Sequence, residues 1–60
     1  MTVPDMVGMI VQNARTAWTD AGFTGRFDPR NGQNDKIVQT QSQAAGACLP
    51  ASTTVKVGFV

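Results

Sequence analysis

One short amphipathic segment that ends at a glycine constrains the fold of this chain more than any other feature. Its apolar residues recur at intervals of three, four and three residues, which places them on one face of a helix. These residues are Val11, Ala14, Trp18 and Ala21. Gly22 follows where a left-handed C-terminal cap is favoured. The sequence therefore predicts one helix, whose apolar face must be covered by other elements.

The residues ahead of this helix predict an extended segment and a turn. Proline fixes its own φ and keeps the preceding residue out of the helical region, so Val3-Pro4 is expected to be extended. Gly8 then permits a turn. Ile10 stands where Ser, Thr, Asp or Asn would normally cap a helix. We therefore expect the helix to begin near Ile10, without a side-chain cap.

Three later segments have the pattern of strands. Apolar and polar residues alternate over Phe23–Phe27 and Thr54–Val60, as expected for half-buried strands, and Lys36–Gln41 is a third candidate. Asn31-Gly32, in the polar segment between the first two strands, is a preferred pair at a hairpin tip. The pattern predicts an α+β fold, with one α-helix packed on a three-stranded, mainly antiparallel β-sheet and a short extended N-terminal segment.

Composition limits the classes of partner. Five basic and four acidic residues are spread along the chain, so the sequence lacks the positive stripe that nucleic-acid binding needs. No run approaches the ~20 apolar residues that span a bilayer, so we expect no membrane insertion by this segment. Sixty residues make one small domain at most.

Motifs in both halves of the chain occur in the order and spacing of one family. They are Val3-Pro4, Val7-Gly8-Met9, Val11, Ala14, Trp18, Ala21-Gly22-Phe23, Val38, Gln41-Ser42, Ala45-Gly46, Leu49-Pro50, Val55 and Val57. On these residues the chain resembles a PASTA domain, a small module found on penicillin-binding proteins and on serine/threonine kinases of Gram-positive bacteria. The resemblance runs from Val3 to Phe59, nearly the whole chain.

This resemblance implies a non-catalytic, extracellular binding or spacer module of a bacterial cell-envelope protein. The ligand that it implies is a peptidoglycan fragment, either the stem peptide or a muropeptide. The first residues do not have the pattern of a signal peptide, so the targeting signal of such an extracytoplasmic protein is expected elsewhere. We therefore interpret residues 1–60 as a single PASTA-like domain excised from a larger protein, monomeric as a fragment, with sister repeats as one arrangement open to it.

Three residues depart from the family pattern. Gln43 stands where proline usually follows Gln-Ser, and Ser52 where glycine usually precedes the last strand, which suggests that this turn needs no positive φ. Ile10 replaces the usual Ser or Thr cap. These departures leave the fold as expected but put in doubt any ligand contact attributed to those turns.

A second function stays open on the sequence alone. The sequence AWTDAGFTG, which includes Trp18, and the later TQSQAAGACLP together resemble a variant seen in secreted or surface-assembly proteins, such as pilus-assembly-like proteins of actinobacteria. The domain would then be a structural or protein-interaction module. In that case Thr54–Val60 would be an exposed edge strand, and a strand from a partner protein would pair with it.

The residues that catalysis would need are missing. A nucleophile with its base, paired carboxylates or a metal would be required. Cys48 is the only cysteine and there is no histidine, so we expect neither enzyme activity nor a cofactor. We interpret Cys48 as a half-buried thiol near a turn. The alternative is a disulfide to a cysteine outside this chain.

The candidate ligand-binding residues lie around the polar segment 28–35. Arg26, Arg30 and Lys36 carry the charge needed to meet a carboxylate or phosphate on a cell-wall glycopeptide. The alternative is that charges of mixed sign on this segment only keep the surface soluble.

Two other binding roles are disfavoured. Aspartates and asparagines of the segment 28–35 suggest calcium, but their spacing does not fit an EF-hand, and an ordinary solvated turn is favoured. Trp18 has an aromatic face that suits sugar stacking. Its place on the apolar helical stripe predicts the core instead.

Overall fold

The computed structural model describes residues 1–28 and 32–60 of the chain. It contains one helix, α1 (Val11–Asp20), and three strands, β1 (Phe27–Asp28), β2 (Val38–Gln41) and β3 (Val55–Phe59). The predicted α+β class, with one helix and a three-stranded sheet, is confirmed. The sheet is mixed, because β1 runs parallel to β3 while the longer β2–β3 ladder is antiparallel.

The strand order β1-β3-β2 corrects two sequence-based predictions. β1 and β2 do not form a hairpin, because β3 lies between them; the proposed tip at Asn31 lies outside the described residues. The predicted edge position of Thr54–Val60 is also wrong, since β3 pairs on both sides. The physical reason is burial: Val55 and Val57 are 2% and 3% exposed, and the central strand is where both can be covered.

β1 is shorter than the predicted strand Phe23–Phe27. The backbone N–H groups of Thr24 and Gly25 both donate to the carbonyl of Ala51, at 2.8 and 3.1 Å, instead of to a strand ladder. A Cβ at Gly25 would collide with the carbonyl oxygens of Ser52 and Thr53. The alternation in the sequence therefore marks a close crossing of two backbones rather than a longer strand.

The helix packs its apolar face on one side of the sheet. Trp18 is 1% exposed, its ring stacks on that of Phe23 with centroids 3.9 Å apart, and its Nε1–H donates to the carbonyl of Gly25 at 3.2 Å. The prediction that Trp18 belongs to the core is confirmed. The buried apolar residues are Val3, Met6, Val11, Ala14, Trp18, Phe23, Phe27, Val38, Val55 and Val57.

Backbone groups cap the helix where its side chains cannot. Ile10 occupies the N-cap and makes no side-chain cap bond. Instead the N–H of Val11 donates to the carbonyl of Lys36 at 2.8 Å, and that of Gln12 to the carbonyl of Asn34 at 3.3 Å. At the other end Gly22 has φ 103°, which confirms the predicted left-handed cap. The departure at Ile10 is thus compensated by the segment before β2.

The side-chain amide of Gln41 fastens the N-terminal segment to the sheet. Its Oε1 accepts the N–H of Met6 at 2.9 Å, and its Nε2 donates to the carbonyls of Pro4 at 3.2 Å and Gln43 at 2.7 Å. Further along, the N–H of Gly8 donates to the carbonyl of Val38 at 2.9 Å. The N-terminal segment therefore covers the outer edge of β2.

The other two departures from the family pattern are accommodated locally. The Nε2 of Gln43 donates to the carbonyl of Thr54 at 3.1 Å, which ties this turn to the start of β3. Among the described non-glycine residues only Gln33 has a positive φ, so Ser52 needs no glycine-like conformation. The prediction made for the turn at Ser52 is confirmed.

Replacing Gln41 with Glu tests the amide contacts. Glutamate keeps the acceptor for Met6 but loses both donors, so a carboxylate would face the carbonyls of Pro4 and Gln43. We expect the free energy of unfolding in urea to fall by about 2–4 kcal/mol. Gln39→Glu makes the same change of charge at an exposed position of β2 and should lower the free energy of unfolding by no more than about 0.5 kcal/mol. Equal losses for the two variants would contradict the assigned role.

Candidate functional site

The face of the sheet turned away from the helix is polar. Phe27, Val55 and Val57 point to the core, whereas Asp28 and Lys56 alternate with them and are exposed. Asp28 and Lys56 are partners in the β1–β3 register, so they lie side by side on this outer face. A carboxylate and an ammonium group therefore project together from the open side of the sheet.

An open cleft of about 500 Å³, here called the open-face cleft, lies at this end of the sheet. Backbone and hydroxyl contacts fix its floor: Ser42 N–H donates to the carbonyl of Lys56 at 2.8 Å, and Lys56 N–H donates to Ser42 Oγ at 2.9 Å. A smaller cleft of about 260 Å³ shares Ser42 and Lys56 with it and reaches Gly58. The open-face cleft is lined by Arg26, Asp28, Ser42, Gln43, Thr54, Val55 and Lys56.

A second large cleft, here called the helix-side cleft, has a volume of about 400 Å³ and lies between α1 and the segment leading into β1. Arg15 enters it from the helix and Arg26 from the segment before β1. Arg26 lines both large clefts and so forms the ridge between them. The helix-side cleft is lined by Arg15, Trp18, Thr19, Thr24, Gly25, Arg26 and Phe27.

The predicted site residues do not converge on one point. The carbonyl of Arg26 accepts the N–H of Val55 at the start of β3, whereas Ile37, next to Lys36, pairs with Val60 beyond its end. Val55 and Val60 are roughly 16 Å apart along an extended strand. Lys36 lines none of the three clefts described, and Arg30 lies outside the described residues. A ligand-binding role for Arg26, Arg30 and Lys36 stays a prediction.

Sequence reasoning missed two cations at these clefts, Arg15 and Lys56. Lys56 stands on the polar side of an alternating strand, so its outward direction was readable. The neighbours of Lys56 could not be predicted from the sequence, because the parallel pairing with β1 brings Asp28 beside it from a distant part of the chain. Arg15 lies on the helix beside the apolar stripe and is half-buried, and only the tertiary fold shows that it lines the same cleft as Arg26.

The charges of the open-face cleft are available to a ligand. In the part of the chain that the structure describes, the side chains of Arg26, Asp28 and Lys56 form no hydrogen bond or ion pair with one another or with other residues. The cleft thus offers two cations and one carboxylate above a floor of hydroxyl and amide groups. Such an arrangement suits a ligand that carries carboxylate and amide groups.

Cys48 is exposed, so the prediction of a half-buried thiol is wrong: its backbone pairs with that of Thr2, also exposed, in an isolated bridge at the surface. Among residues 1–28 and 32–60, acidic and cysteine side chains do not gather in any group that could hold a metal ion. Helix α1, at ten residues, falls well short of the length and apolar character needed to cross a bilayer.

These features define a small α+β module whose sheet has one polar, open face. The family model described as PASTA domain matches residues 1–59, and the chain belongs to the PASTA domain family. Comparisons with curated proteins and with solved structures gave no significant match. Members of the family are binding modules of cell-wall-associated proteins, and the polar clefts of this chain agree with that class.

The roles of the two arginines in stability should differ. Arg15 donates from Nη1 to Asn34 Oδ1 at 3.0 Å and from Nη2 to the carbonyl of Gly32 at 3.3 Å, and lies 5.9 Å from the ring centroid of Phe27. We expect Arg15→Gln to lower the free energy of unfolding by about 1–2 kcal/mol. Arg26→Gln should change it by less than about 0.5 kcal/mol. Urea titrations of both variants check this, and a larger loss for Arg26→Gln would overturn it.

Proposed function

We propose that this domain is a non-catalytic binding module of a bacterial cell-envelope protein and that it recognises the peptide part of peptidoglycan outside the cytoplasm. In this proposal residues 1–60 are one domain of a larger protein. Membership of the PASTA family supports the class of function. The observation that carries the proposal is the open-face cleft, in which Arg26 and Lys56 flank Asp28.

The chemistry of the ligand matches the charges of the cleft. A stem peptide carries carboxylates along its backbone and side chains, and a guanidinium can hold a carboxylate through two parallel hydrogen bonds. Lys56 supplies a second cation about two strand positions away from Arg26. Asp28 gives the cleft a partner for the ammonium group of a diamino acid. A peptide with groups of both signs therefore fits better than a simple anion.

The sequence-predicted residues enter this proposal unequally. Arg26 lines the cleft, and Arg30 lies outside the described residues. Lys36 lines none of the described clefts and would act only on a ligand that extends beyond the open-face cleft. Because Lys36 lies near the far end of β3, a variant at Lys36 distinguishes between two positions of the bound ligand. One is centred on the open-face cleft and the other on the segment 28–35.

Titration with a muropeptide, followed by amide chemical shifts, tests the proposal. We expect saturable shifts at Ser42, Thr54 and Lys56, and roughly tenfold weaker binding in the variants Arg26→Gln and Lys56→Gln. Lys36→Gln removes the same charge outside the cleft and should bind as the natural protein does. A loss confined to Lys36→Gln would favour a site at segment 28–35. No shift at millimolar ligand would overturn recognition.

A structural or protein-interaction module remains the alternative function. Its support is now a different surface from the edge strand first considered, because β3 is central. Ile37 and Val60 are 41% and 63% exposed and are joined by two backbone hydrogen bonds, so these two apolar residues are neighbours at the surface. An absence of muropeptide binding together with self-association would favour this alternative.

A further inference from the structure

Among the described residues that line the helix-side cleft, the two charged ones are both arginines. Arg15 reaches it from α1 and Arg26 from the chain that leads into β1. Its other described lining residues are neutral, namely Trp18, Thr19, Thr24, Gly25 and Phe27. The open-face cleft, in contrast, contains Asp28 between its cations. The two clefts therefore present different electrostatic environments on either side of Arg26.

Arg15 is held in place before any ligand arrives. It is half-buried, and its guanidinium donates to Asn34 Oδ1 and to the carbonyl of Gly32. The guanidinium carbon lies 5.9 Å from the ring centroid of Phe27. Both of those acceptors are neutral, so neither contact cancels the positive charge. An oriented cation loses little conformational entropy when an anion binds beside it.

The rest of the lining suits an oxyanion. The hydroxyl of Thr24 donates to the carbonyl of Ala51 over a long 3.4 Å, so it can turn toward a ligand at small cost. The base of the cleft is formed by the ring of Phe27 and the edge of Trp18, both almost fully buried. The two aromatic rings exclude water from one side of the cleft, which favours the attraction between the cations and an anion.

We propose that the helix-side cleft binds a phosphate group between Arg15 and Arg26. One guanidinium alone can satisfy both oxygens of a planar carboxylate. Two guanidinium groups on different walls match the larger charge and the tetrahedral oxygens of a phosphate. The phosphate can belong to a phosphomonoester or to a phosphodiester-linked polymer. This site shares Arg26 with the peptide site proposed above, but its other lining residues differ and the inference does not depend on that proposal.

Trp18 provides a built-in reporter for this proposal. It is the only tryptophan of the chain, it lines the cleft, and its Nε1–H donates to the carbonyl of Gly25, which lines the same cleft. Its indole N–H resonance is therefore unique and close to the site. The probes are inorganic phosphate, glycerol 3-phosphate as a monoester, a glycerophosphodiester, and acetate as the carboxylate comparison, each at constant ionic strength.

We expect phosphate and at least one of the two esters to shift the Trp18 indole N–H and the amides of Thr24 and Gly25 saturably, with acetate at least tenfold weaker. Arg26→Gln should weaken phosphate binding roughly tenfold. Arg15→Lys keeps the charge but loses the planar fork, and should also weaken it. Which ester binds more tightly identifies the source of the phosphate.

Lys56→Gln separates this site from the open-face cleft. Lys56 lines the open-face cleft and the smaller cleft beside it, but not the helix-side cleft. The substitution should therefore weaken muropeptide binding and leave phosphate binding unchanged. Shifts that do not saturate, a preference for acetate, or an equal loss in Lys56→Gln and Arg26→Gln would overturn the phosphate site. Binding of a muropeptide without phosphate binding would leave the proposed function in place and remove this inference alone.

Discussion

The side-chain amide of Gln41 is the contact on which the arrangement of the domain depends. A strand edge needs partners for its backbone groups, and a chain of sixty residues has few elements to spare for that purpose. Gln41 acts like a short piece of backbone, accepting from Met6 and donating to Pro4 and Gln43. The N-terminal segment can then lie beside β2 and add Val3 and Met6 to the core.

This contact determines which surface remains for a ligand. The helix covers one face of the sheet, and the N-terminal segment covers the outer edge of β2. The opposite face and the ridge at Arg26 stay open, and their described cations are Lys56 from β3 and Arg26 from the segment before β1. The alternation of side chains along β3 produces both the core and the polar outer face, because Val55 and Val57 point toward the helix and Lys56 points toward solvent.

The sequence predicted what depends on local periodicity. The helix, its glycine end, the buried Trp18 and the approximate positions of β2 and β3 all follow from spacing of apolar residues. The strand order does not, since the turn signal at Asn31-Gly32 describes a local conformation and says nothing of a distant strand that inserts between its neighbours. For the same reason Arg26 was found as a candidate, while Arg15 and Lys56 were missed, because helix packing brings Arg15 to the same cleft as Arg26 and the parallel register brings Lys56 beside Asp28.

Native-state hydrogen exchange measured at the amide of Met6 tests the central claim most directly. If the contact with Gln41 makes the N-terminal segment part of one cooperative unit, the Met6 N–H should exchange only through global unfolding. Its opening free energy should then equal that of the Ala14 N–H in the middle of the buried helix. A separate opening at much lower free energy at Met6, with Ala14 still protected, would contradict the account.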